Sequence, residues 1–82
     1  MTHRLFVITH GWVIVGRVED VPESGWIHLA SSAVVRRWGT TRGLGELVSG
    51  PRRGTVVDRV MRRTLIPCTS VVWSCDVEGW DV

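Results

Sequence analysis

The sequence predicts a mainly β fold: a small SH3-like or related β barrel of six to seven short strands with one short helix, occupying residues 1–82 as a single domain. Three observations lead there. A chain of 82 residues has room for only one thin-cored domain. Short apolar runs recur along it, separated by Gly, Pro and Ser, which is the pattern of strands and turns. Helical spacing occurs in one brief stretch only. A small barrel closes such strands without leaving an edge open.

The elements follow in order. "RLFVITHGWVIVGRVED" divides at His10-Gly11, the length of a tight hairpin loop, which places strands at about 4–9 and 12–18. "VPESG" supplies a turn through Pro22 and Gly25. "WIHLA" and "SAVVRRW" are two further strands, with Ser31-Ser32 marking a bulge or a sharp corner. In "RGLGELVSG", Leu44, Leu47 and Val48 fall at helical spacing before a Gly50-Pro51 stop. That helix has at most two turns, so it depends on packing. "TVVDRV", "RTLIP" and "TSVVWSCDV" complete the strands, with Pro67 at an edge or between strands, where a missing N–H does no harm.

Composition narrows the function. Five Trp, one Phe and no Tyr are too many indoles for so small a core, so some are expected at an interface or ligand surface. Every basic residue is Arg, and the charge is unevenly placed. Residues 36–63 carry eight Arg against Glu46 and Asp58, a net of +6. Residues 1–35 carry Arg4 and Arg17 against Glu19, Asp20 and Glu23, a net of −1, and residues 64–82 only Asp76, Glu78 and Asp81, a net of −3. A basic middle between acidic ends implies an anion-binding face or head-to-tail contact between subunits. Cys68 and Cys75 are too far apart along one extended segment to bridge, so free thiols in a reducing compartment are expected. No run approaches the ~18 apolar residues of a membrane span, and no membrane partner is expected.

The segment "RRWGTTRGLG" gathers the candidate site. With Trp38 ending a strand, Arg36 and Trp38 share one face and Arg37 the other. A base can stack on Trp38 while Arg36 forks onto a phosphate. Thr40 and Thr41 add hydroxyls, Arg42 adds charge, and Gly39 and Gly43 allow backbone N–H groups close to an anion. The competing reading makes Trp38 a core anchor, the arginines solvated and the glycines turn formers. Arg52-Arg53 and Arg62-Arg63 extend a basic face or are solvated strand rims, and Asp58 pairs with neighbours of Arg59 or with a second chain. Trp12, Trp26, Trp73 and Trp80 are expected in the core or at an interface. His3, His10 and His28 lack metal-ligand spacing, so no metal and no cofactor is expected. A Ser74, His28, Asp76 triple can be drawn, as in any small chain, and the expectation is a protein that is not an enzyme.

Arg36, Arg37, Trp38, Gly39, Thr40, Thr41, Gly43, Leu44, Gly45, Gly50 and Pro51 together resemble the shared line of a family of short proteins encoded by tailed phages and prophages. The likeness covers the middle and last third of the chain; the arginines at 59, 62 and 63 depart from it. That family carries no settled activity. The resemblance implies a setting, the host bacterial cytoplasm, and an accessory protein that works by binding. The reading that follows is a homo-oligomer that sequesters a nucleotide-like anionic small molecule, such as a host immune signal, through residues 36–43. The alternatives are a nucleic-acid-binding module and a protein-binding inhibitor or virion component.

Overall fold

The computed structural model describes residues 2–19 and 25–82; most of the "VPESG" turn lies outside them. Six antiparallel strands form one sheet: β1 (His3–Ile8), β2 (Trp12–Glu19), β3 (Trp26–Arg37), β4 (Val56–Val60), β5 (Thr64–Pro67) and β6 (Val71–Val77). The order is β4-β3-β2-β1-β6, with β5 also paired to β3. Ser32 pairs with Val60 and Leu29 with Thr64. Thus β4 and β5 are successive halves of one ladder along β3, interrupted at 61–63.

The β1–β2 hairpin forms where expected. His10 and Gly11, at φ 69° and φ 80°, turn the chain in a three-residue 3₁₀ segment, Thr9–Gly11. "WIHLA" and "SAVVRRW", read as separate strands, are one 12-residue strand. The irregularity lies at Ala30: Arg17 pairs with Ser31 and Val18 with Leu29, leaving Ala30 as the extra residue. A ladder on both sides carries β3 through the corner, so the bulge falls at Ala30 and not at Ser31-Ser32, which are regularly paired.

That bulge, the 61–63 interruption and Gly16 mark a crease. Leu29 and Ile66, beyond it, pack with Phe6 and Ile14 in one buried cluster, so the sheet folds over on itself. A side chain at Gly16 would meet Leu29 Cδ1 at 2.7 Å and the Ser31 carbonyl at 2.9 Å; only a bare Cα permits the fold. Leu5, Val13, Val15 and Val35 face the opposite side and are covered by Leu47, Val77 and Trp80.

Leu47 lies in the expected helical stretch, which forms as a 3₁₀ segment over Leu44–Ser49. The Trp80 indole N–H donates to the Leu47 carbonyl at 2.8 Å, and the Glu78 N–H donates to the Val48 carbonyl. These bonds tie the chain end to that segment.

The mainly β class is as read from the sequence, but the barrel does not close. β4–β5 and β6 remain unpaired with each other at the sheet edges. At the β5–β6 junction Pro67 ends β5 without an N–H, and its carbonyl accepts the Ser70 hydroxyl at 2.8 Å.

Candidate functional site

β3 ends with Val35 paired to Val57 and Arg37 paired to Val56, and Arg36 is the extra residue of a bulge. Strict alternation, which sets Arg37 opposite to Arg36, therefore fails. Instead Arg36 and Arg37 together line an open depression of about 310 Å³ with Val56. Arg36 Nε lies 2.9 Å from Asp58 Oδ2, with both side chains exposed. Arg37 is exposed and, among the described residues, makes no ion pair. Trp38 is 42% exposed, which removes it from the core. It follows Arg37 in the chain but is not among the residues lining the depression.

Gly39 turns the chain at φ 68°. A Cβ there would lie 2.2 Å from the Gly54 carbonyl carbon, so two backbones cross with no side chain between them. Thr55 fastens the crossing. Its hydroxyl donates to the Trp38 carbonyl and accepts the Arg52 N–H at 2.8 Å.

The following loop does present N–H groups to an anion, and the anion is the chain's own. Glu46 Oε2 accepts the Thr41 N–H at 2.9 Å and the Arg42 N–H, with the Thr41 hydroxyl 3.5 Å away. Arg52 Nε stands 3.9 Å from Oε1. The Arg42 N–H bond above all holds the Glu46 carboxyl below its ordinary pKa; burial opposes this, while the Thr41 N–H, the Arg52 charge and Gly43 assist. Residues 36–43 are thus divided. Arg36 and Arg37 share the depression, Trp38 stands exposed after them, and Thr41, Arg42 and Gly43 surround Glu46. Thr40 is half-buried.

Asp58 pairs with Arg36, while Arg59 reaches Asp81 at 3.6 Å. Ser74 and Asp76 both engage Arg4, at 3.2 and 2.7 Å, and His28 sits in the β3–β5 ladder opposite Leu65, so the drawn triple is not assembled. Among the described residues, no His, Cys, Asp and Glu group could hold a metal ion. Both cysteines are free. Trp12, Trp26 and Trp73 are about half exposed, whereas Trp80 is buried.

Compared with known proteins, the chain matches no family model, no curated protein and no solved structure. The functional reading therefore rests on its own geometry. Four residues of that geometry were not singled out as parts of the site from the sequence: Glu46, Thr55, Val56 and Asp58. For Glu46 a signal existed, since it is the third residue after the Gly43 cap, the place from which a glutamate reaches back to free N–H groups. Val56 and Asp58 are brought near only by the strand register, and Thr55 by the crossing of Gly39 over Gly54.

Proposed function

We propose that this chain is a phage-type accessory protein of the host bacterial cytoplasm, a homo-oligomer that binds and sequesters a phosphate-bearing nucleotide ligand such as a host immune signal. One observation carries the reading: at the β3 bulge two adjacent arginines line one open depression immediately before an exposed tryptophan. Arginine forks suit phosphate oxygens bidentately, and stacking on an indole adds ~1–3 kcal/mol per base. Arg37 supplies charge that no carboxylate neutralises among the described residues. Arg36 is held by Asp58 in an exposed pair, which costs little to exchange for a phosphate. The loop N–H groups are already filled by Glu46, so the ligand engages Arg36, Arg37 and Trp38 and leaves Thr41, Arg42 and Gly43 as scaffold. Half-exposed Trp12, Trp26 and Trp73 support self-association, since indoles concentrate at interfaces.

The openness of the depression favours one alternative, a single-stranded nucleic acid threading past the same residues. Calorimetric titration separates the two. Cyclic nucleotides and adenosine–ribose phosphates binding at a fixed stoichiometry, and losing affinity in Arg37→Ala, meet the proposal. Binding of oligonucleotides alone, steeply weakened by salt, favours the strand. Silence across both panels removes the reading.

A further inference from the structure

The two free edges of the sheet carry opposite chemistry. On one, the 61–63 interruption between β4 and β5 presents Met61, 87% exposed, followed by Arg62 and Arg63, both exposed and, among the described residues, in no ion pair. On the other, the end of β6 forms a depression of about 240 Å³ lined by Val48, Asp76, Val77 and Glu78. The Glu78 N–H bond to the Val48 carbonyl at 2.9 Å joins its two walls. Asp76 gives one oxygen to Arg4; Glu78 is exposed and, among the described residues, makes no ion pair. The exposed Val48 side chain with two carboxylates at the same depression fits a group with an apolar stem and cationic heads, which is the chemistry of Met61, Arg62 and Arg63. The tip does not satisfy this depression within its own chain, because Met61 stays in solvent and neither arginine meets a carboxylate.

We infer that the Met61-Arg62-Arg63 tip of one copy docks into the Val48, Asp76, Val77 and Glu78 depression of a second copy. The contact joins two different surfaces: made reciprocally by two copies it closes as a two-fold dimer, and made head-to-tail it closes as a ring or continues as a filament. The occupant is argued from charge complementarity: the tip carries Arg62 and Arg63, and the depression carries Asp76 and Glu78. This inference rests on the self-association in the proposed function and is independent of the ligand.

Sedimentation velocity across a concentration series tests it, with circular dichroism confirming that each variant is folded. The wild-type chain is expected to run heavier than its 9.2 kDa monomer. Glu78→Arg alone, and Arg62→Glu with Arg63→Glu, should each weaken association by about tenfold or more. An equimolar mixture of the two variants should reassemble, since it restores one native contact and offers one charge-swapped contact; a mixture that stays as weakly associated as either variant alone overturns the pairing of tip with depression. A wild-type assembly untouched by either variant overturns the interface and leaves self-association standing. A wild-type monomer overturns both, while calorimetry at Arg36 and Arg37 still judges ligand binding separately.

Discussion

At the scale of single residues, Glu46 has the clearest physical role. Its folded-state pKa is lowered chiefly by the Arg42 N–H bond, so it contributes stability above the ordinary carboxylate range, and that contribution is lost as pH falls through the lowered value. Glu46→Gln is therefore expected to melt at a lower temperature than wild type at neutral pH, with the gap narrowing in acid; thermal unfolding at a series of pH values reads it. Gly39→Ala meets both a positive φ and the Gly54 backbone, and should cost about 1–3 kcal/mol in denaturant titration. Trp38→Ala should do the opposite of a core truncation. Its ring is 42% exposed, so stability should fall by less than the ~3–5 kcal/mol of a buried aromatic truncation while ligand affinity disappears. The sequence made Arg36 and Trp38 visible as chemistry. It hid the bulge at which Arg37 joins Arg36 around one depression, because an extra residue in a strand is set by the partner's register, and Val56 is nineteen positions beyond Arg37.

Among the elements, the β1–β2 hairpin and the "TVVDRV" and "RTLIP" strands were legible, since turn residues and apolar runs are local signals. β3 was not legible as one strand. Ser31 and Ser32 look like a break, yet Ser32 Oγ and Thr64 Oγ1 lie within 2.9 Å, a cross-ladder contact that no local reading provides. The 42–50 segment showed helical spacing but forms a 3₁₀ run, consistent with Gly43 and Gly45 at its start and with its shortness. Its anchorage is long-range. Leu47 is fully buried, so Leu47→Ala should cost about 2–5 kcal/mol. Trp80→Phe keeps most of the ring but removes the indole bond to the Leu47 carbonyl, which retains the Gly50 N–H, for about 0.5–1.5 kcal/mol. If equilibrium unfolding shows Leu47→Ala to be neutral, the packing of this segment on the sheet is wrong.

For the whole molecule, sequence order of charge became spatial order. The basic segment supplies the depression at the end of β3 and the tip between β4 and β5, while the acidic tail supplies the edge of β6. The predicted closed barrel is replaced by a creased, open sheet with β4–β5 at one edge and β6 at the other. The central claim is that a phosphate-bearing ligand is received by Arg36 and Arg37 beside Trp38. Its most direct test uses the indoles as reporters: two-dimensional ¹⁵N–¹H spectra of the chain during titration with a cyclic nucleotide, with the Trp38 signal assigned through Trp38→Phe. The account predicts that the Trp38 indole and the Arg36 and Arg37 guanidinium signals move together and saturate, with Trp80 unmoved. Saturating shifts confined to Trp12 or Trp73, or spectra that never change, would contradict it.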